Sequence, residues 1–322
     1  MVAVSYHDTV NVLQGVAGGA SGPFDRAEWF ALLADSGLHA LVAVATDGGN
    51  TVALPLTVAD SRIEPLRNWY AFTWRPLGDA RRDLIEAVAR DLKQRSHRVT
   101  MWPLPDEDGS ATRIGQAFAS AGWSVRTEPC DHNHILLVAG RSFADYWTGR
   151  PGQMRTTLKR KAKKVTVDIH DRFDPQAWSE YEAIYNGSWK PEEGDPALLR
   201  EFAEAEGAAG RVRLGIARSG DEAVAAQFWT VESGTAYIHK LAHRESAKPL
   251  SAGTTLSAAL FERVIDGDKV EVVDFGTGND PYKADWMEVD RPRYRVDCLD
   301  PKQPRAWPAL AKRALARHPS DR

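Results

Sequence analysis

The stretch "YIHKLAHRESAKPLSAGTTLSAALFERVIDG", residues 237–267, decides the fold. It reads as a strand ending near His243, a loop of small residues, and a helix starting around Thr254. The helix repeats Leu256, Leu260 and Val264 at helical spacing and stops at Gly267. Its first turn holds Ser251, Ala252, Gly253, Thr254 and Thr255, with no acidic residue among them. A helix start has N–H groups without intrahelical partners and a partial positive charge, so small side chains there leave a seat for a pyrophosphate. Lys248 precedes this turn and would add counter-charge. An ordinary Ser/Thr-capped helix carries the same signature, so this stretch alone leaves both readings open.

Working outward, "VRLGIARSGDEAVAAQFWTVESGTAYIHKLAH" (212–243) gives three extended runs joined by "SGDE" and "SG" turns. A strand, "VEVVDF" (270–275), and a last one, "RYRVDCL" (293–299), follow the helix. Residues 142–165, 175–189 and 196–210 read as helices. The first half repeats this order. A helix over 24–37 leads to the runs "HALVAVAT", "TVALPLTVA" and "RIEPLRNWY", then an amphipathic helix over 79–96. The strand "HRVTMWPL", a helix ending on Gly122, and the runs "WSVRT" and "HILLVA" complete it. The expected architecture is α+β: two tandem domains, 1–141 and 142–322, each a mixed, mostly antiparallel sheet flanked by helices. The repeat is of domain size, which excludes a solenoid.

Composition sets bounds. The 322 residues are 43% hydrophobic and 26% charged, with a net charge of −3, which fits a globular chain and argues against a general polyanion binder. Cys130 and Cys298 sit in no metal-ligand spacing, so no metal is expected and a reduced, cytoplasmic thiol pair is. The start "MVAVSYHDTVNVLQG" has no basic n-region or apolar run, and no stretch has the length of a membrane span.

The stretch "VVDFGTGNDPYKADWM" (272–287) admits several chemistries. A kinase metal loop would need a Gly-rich loop, a strand lysine and a His-Arg-Asp loop upstream, and the chain has none. A dinucleotide fingerprint would need a third glycine where "GTGNDP" ends on Pro281. The segment therefore reads as a turn leaving a strand. On the preceding strand, Tyr237, His239, Leu241 and His243 share a face by alternation, and His239 is a candidate base.

The order of meander, small-residue loop, helix and strand resembles the GNAT acyltransferases, whose loop pattern Gln/Arg-x-x-Gly-x-Gly/Ala grips the pyrophosphate of acyl-coenzyme A. Here the corresponding stretch is Lys248-Pro249-Leu250-Ser251-Ala252-Gly253, which keeps that pattern only in part. "SAGTTL", "DFGTGNDPYKADW", "NGSWK" (186–190) and "GQMRTTLKRKAKK" (152–164) resemble more closely the CelD-like branch with a Fem-like double fold. The resemblance covers about residues 142–299 and implies an N-acyltransferase using acetyl-CoA or another acyl-CoA as co-substrate. It implies that Lys248 and Ser251–Thr255 hold the cofactor. Tyr282 would protonate the leaving thiolate and Lys283 would stabilise the tetrahedral state, with Trp286 packed beneath them. Asp274 and Asp280 would orient Lys283 or take a proton through water. A loop pinned by Trp286, with Tyr282 and Lys283 merely exposed, is the plainer alternative.

"RTTLKRKAKK" (155–164) packs six basic residues into ten positions. It reads as a solvated face, as a site for an anionic saccharide or envelope precursor contacted by Arg155 and Lys159, or as a contact for aminoacyl-tRNA. No aromatic residue interleaves the basic ones, which counts against RNA. Trp189 and Lys190 would line an acceptor cleft, or be a core Trp beside a surface Lys. Two other functions stay open: a Fem-type transferase using aminoacyl-tRNA, and a non-catalytic binding protein of the same fold.

Overall fold

The structure, a computed structural model, describes residues 2–16, 22–60 and 62–316. It forms two compact units, Met1–His132 with Pro292–Arg322, and Asn133–Arg291. The expected division at residue 141 therefore moves to His132/Asn133, and the end of the chain returns to the first unit. The reason lies in strand pairing.

In the first unit, β1 (Ala3–His7), β2 (Leu41–Asp47), β3 (Asn50–Ala59) and β4 (Arg62–Pro65) form an antiparallel meander. Helix α1 (Ala27–Asp35) precedes β2, and the short β5 (Leu77–Gly78) pairs with β3. Helix α2 (Arg82–Leu92) buries Leu84, Ile85, Val88 and Leu92, and leads to β6 (Arg98–Leu104). β4 and β6 run parallel and meet at Ile63 and Val99. After α3 (Ser110–Ser120), the chain enters one long strand, β7 (Ser124–Leu137), where the sequence suggested two runs.

The second unit opens with α4 (Phe143–Thr148) and α5 (Gly152–Lys161). One helix was expected over this stretch, but Pro151 stands between them, with extended backbone where a helix would need its N–H. A strand the sequence did not reveal, β8 (Thr166–His170), comes before α6 (Pro175–Asn186) and α7 (Pro196–Ala208). Both helices begin with an aspartate cap followed by proline, Asp174-Pro175 and Asp195-Pro196. Next come β9 (Val212–Ser219), β10 (Glu222–Glu232), β11 (Thr235–His243), α8 (Ala252–Glu262) and β12 (Val272–Thr277). A short helix, α9 (Pro281–Trp286), a strand, β13 (Val289–Leu299), and α10 (Trp307–Ala316) end the chain. The order β8-β9-β10-β11 is antiparallel, and β11 then runs parallel to β12.

Each sheet takes its last strand from the other half of the sequence. β12 pairs antiparallel with the end of β7, Val272 opposite Leu137, and β6 pairs with β13, Leu299 opposite Arg98. The arrangement is a mixed, mostly antiparallel sheet flanked by helices, as expected. Helices α6 and α7 cover one face of the second sheet through Trp178, Phe202 and Phe228. On the other face, Leu256, Leu260 and Phe261 of α8 pack against Ala225, Trp229 and Val273.

Gly207 in α7 tests this packing. A Cβ there would stand 2.5 Å from Phe173 Cβ and 2.6 Å from its backbone nitrogen, so the approach cannot be relieved by a side-chain swing. Helix propensity alone favours Ala over Gly by about 1 kcal/mol. We expect Gly207→Ala nonetheless to lower stability by about 1–3 kcal/mol, measured by urea unfolding.

Candidate active site

The ladder between β11 and β12 is short. Thr235, Ala236 and Tyr237 face Val272, Val273 and Asp274, and pairing stops there although β11 runs on to His243 and β12 to Thr277. Beyond Tyr237 the two strands form a fork. Asp274, at its base, accepts from the Gly276 amide at 2.8 Å and from Asn133 Nδ2 at 2.6 Å, with Arg291 at 3.5 Å from its other oxygen. Gly276 adopts φ +67, the left-handed region that glycine enters without strain, and this turns β12 away. Expected to orient Lys283 or take a proton, Asp274 is instead buried and engaged in holding the fork.

β11 carries a bulge. Trp229 faces Ile238 and Phe228 faces Lys240, which leaves His239 as the extra residue. The bulge breaks the alternation read from the sequence. His239 turns to the α6–α7 face, with Nε2 2.8 Å from Thr230 Oγ1 and its ring between Phe202 and Phe228. Leu241 packs instead with the α8 core, and His243 Nδ1 lies 3.6 Å from where a Cβ on Gly253 would stand. His239, the expected base, is thus an aromatic-packed residue, and His243 is the histidine beside α8. No local sequence signal marks a bulge of this kind.

Helix α8 begins after Ser251, which sits at φ 54, ψ 39, makes no side-chain cap and is followed by no acidic residue in the first turn. The Thr255 amide reaches the Ser251 carbonyl at 3.1 Å, which leaves the amides of Ala252, Gly253 and Thr254 at the open end. Gln227 of β10 ties this turn to the sheet. Its Nε2 donates to Ser257 Oγ at 2.7 Å and to the Gly253 carbonyl at 3.3 Å, and its Oε1 accepts from Trp229 Nε1 at 2.9 Å. The cation at this end is Lys161, the last residue of α5, whose Nζ donates to Ser251 Oγ at 3.1 Å. Lys248, assigned that part by the sequence, is exposed and pairs with Glu245 at 2.6 Å. Arg155 and Lys159 lie exposed on α5, Arg155 donating to the Arg150 carbonyl at 3.1 Å.

The segment after the fork winds into α9. Lys283 is 4% exposed, and its ammonium donates to the Thr277 carbonyl and lies 5.4 Å from the Phe275 ring. Tyr282 is 37% exposed and meets Phe275 edge-on at 5.7 Å. Burial, with the Asp280 carboxylate adding, pushes its phenol up to about 12. Trp286 was expected to pack beneath these two and line the substrate. It stacks instead on Phe261 at 4.9 Å and meets Trp147 at 5.7 Å, while its carbonyl accepts from Tyr146 Oη at 2.8 Å. It is the anchor of α9 in the core.

The loop after α6 supplies the remaining wall. Trp189 is 48% exposed with its ring 4.3 Å from that of His243, and Lys190 Nζ lies 5.4 Å from the Trp189 ring. Burial pulls Lys190 below its ordinary value, opposed by Asp280, so the charge of α9 reaches this loop. Burial likewise pulls His243 down; Glu245 opposes, and the Lys248 and Lys190 ammoniums add to the fall. The structure therefore brings Gly253, His243, Trp189, Lys190, Asp280 and Tyr282 into one neighbourhood. Among the described residues no His, Cys, Asp and Glu cluster could hold a metal ion, and no helix is long and apolar enough to cross a membrane.

Residues 152–284 match the acetyltransferase (GNAT) domain family. No curated protein matches the chain. Among solved structures, it is similar to FemX, with a TM-score of 0.65, 11% identity and coverage of 95% of this chain and 99% of that one. It is similar to L-PGS from Bacillus licheniformis, with a TM-score of 0.56, 13% identity and coverage of 88% and 90%. A tandem GNAT protein from the clavulanic acid biosynthesis pathway gives a TM-score of 0.52, 14% identity and coverage of 94% and 100%.

The depressed His243 pKa has a sign that can be tested. As pH falls through about 6.5 the unfolded chain takes up the proton before the folded one, so this group's contribution is present above that pH and lost below it. Between pH 7.5 and 5.5 we expect His243→Gln to lose less stability than the parent in denaturant melts.

Proposed function

We propose that the chain moves an acyl group from acyl-CoA, with acetyl-CoA the expected donor, to an amine or hydroxyl acceptor in the cytoplasm; the match of residues 152–284 to the GNAT domain family and the likeness in fold to FemX and a tandem GNAT protein support this reading. The observation that carries this reading is the fork between β11 and β12 beside the uncapped start of α8. Pyrophosphate would accept from the Ala252, Gly253 and Thr254 amides, with Lys161 supplying counter-charge. The parallel register of β11 with β12 runs from Thr235 to Tyr237, and an extended pantetheine arm would lie along β11 beyond it.

The acceptor's lone pair adds to the thioester carbon, and charge develops on the carbonyl oxygen. The buried Lys283 ammonium, fixed on the Thr277 carbonyl, is preorganised to meet that charge. The C–S bond then breaks. A phenol near 12 is too weak an acid to hand its proton fully to a thiolate of pKa about 8.5, so Tyr282 serves as a hydrogen-bond donor to the leaving sulfur, and solvent completes the thiol. The acceptor's proton goes to water or to His243, which burial keeps neutral.

Gly253→Glu would place a carboxylate among the phosphate-binding amides. Calorimetry should then show no CoA binding while circular dichroism is unchanged; unaltered affinity would remove the donor site from this helix. Lys283→Ala is expected to lower kcat by roughly 100-fold or more. Tyr282→Phe should lower kcat about 10-fold or more, with no basic limb lost up to pH 10, since the phenol stays protonated there.

A second reading rests on α5, which buries no residue and leaves Arg155, Lys159 and Arg160 exposed. It makes the donor an aminoacyl-tRNA. RNA binding that weakens steeply with salt, and an absence of CoA binding, would select it.

A further inference from the structure

A cavity of about 370 Å³ lies between α6 and α7, lined by Trp178, Tyr181, Tyr185 and the carboxylates Glu182, Glu192 and Glu193. The mechanism above makes no use of it. Its floor is aromatic and its polar groups are acidic, a combination that suits a cation with an aliphatic body. The cluster already holds an ammonium of its own. Lys240 Nζ pairs with Glu193 at 2.8 Å and lies 5.3 Å from the Tyr185 ring, both side chains being nearly buried. Glu182 accepts from Trp178 Nε1 at 2.8 Å, and Arg200 reaches its other oxygen only loosely, at 3.8 Å. Glu192 is exposed and makes no ion pair among the described residues. One carboxylate is therefore left over, beside another that is incompletely matched.

The loop that carries Glu192 and Glu193 also carries Trp189 and Lys190, which stand at His243. Lys240 and His243 sit on the same strand, β11. A ligand charged at one end can therefore rest in the cavity while its other end reaches toward the fork. We propose that this cavity binds the cationic end of a polyamine-like acceptor, an organic ammonium on an aliphatic chain. The cation site stands on its own geometry; that its occupant is the acceptor rests on the acyl-transfer reading.

Spermidine titrated calorimetrically into the full chain without CoA tests the site. Binding should weaken with salt, be absent for a neutral diol of similar length, and weaken roughly fivefold or more in Glu192→Lys, an exposed substitution that should not disturb folding. With acetyl-CoA present, the same variant should raise KM for spermidine and leave KM for acetyl-CoA unchanged. No heat with spermidine at millimolar concentration, or an affinity insensitive to Glu192→Lys, would overturn the proposal and leave the donor site, read by Gly253→Glu, untouched. Intact, Glu192-dependent binding without acetylation would uphold the cation site and count against acyl transfer.

Discussion

The second unit depends on the termination of one parallel ladder. Two strands that pair over three positions and then part need a cause at the point of parting, since each further pair would satisfy two backbone groups. Asp274 and Gly276 supply it. The carboxylate takes up the Gly276 amide and the Asn133 side chain, so the polar groups at the base of the fork are satisfied without a longer ladder. The left-handed Gly276 then directs the chain away, and the register against β7 shifts between Asp274 and Thr277. A buried carboxylate that lost these partners would be costly, so the fork is held by the same groups that make it.

Everything placed near the fork follows from that turn. The chain leaving it reaches α9, where Trp286 inserts between Phe261 and Trp147 and fixes the helix. Lys283 is thereby held inward on Thr277, and Tyr282 is left at the surface. On the other side of the fork, the bulge at His239 turns the strand so that its far end presents His243 to α8. Gln227 joins sheet and helix by binding the first turn of α8 through its carbonyl and not its amides. The donor groups of that turn stay available.

Local signals in the sequence were read correctly where the structure is local. The helix at Leu256, Leu260 and Val264 and the turn at Gly276 and Gly278 depend on residues close in sequence, whereas the Ser and Thr residues at the helix start fit a cap as well as a bare end. The order of elements in both halves, and with it the mixed sheets, follows from hydrophobic period and turn residues. What stayed hidden depends on pairing across distance. The bulge that separates His239 from His243 is set by the register of β10 against β11. The cation beside Ser251 comes from α5, ninety residues upstream, so proximity in sequence pointed to Lys248 instead. Asp274 and Trp286 looked like site residues because they flank Tyr282 and Lys283, yet their partners are Asn133, Arg291, Phe261 and Trp147.

The first unit shows what the same strand order becomes when the fork is bridged. There, among the described residues, β4 and β6 pair at Ile63 and Val99, a shorter parallel contact than that of β11 with β12. Trp74 bridges β3 and β6 beyond it. Its indole donates to the Pro55 carbonyl at 2.9 Å and its amide to the Pro103 carbonyl at 2.9 Å, and the side chain is fully buried. The helix after it, α2, carries Asp83 in its first turn, paired with Arg81, whereas α8 starts with no acidic residue. An extended arm laid there would have to displace a buried indole and the backbone bonds that Trp74 makes. An open ladder end beside a bare helix start is thus a feature of the second unit, while in the first unit the strands beyond the parallel contact are already bridged by Trp74.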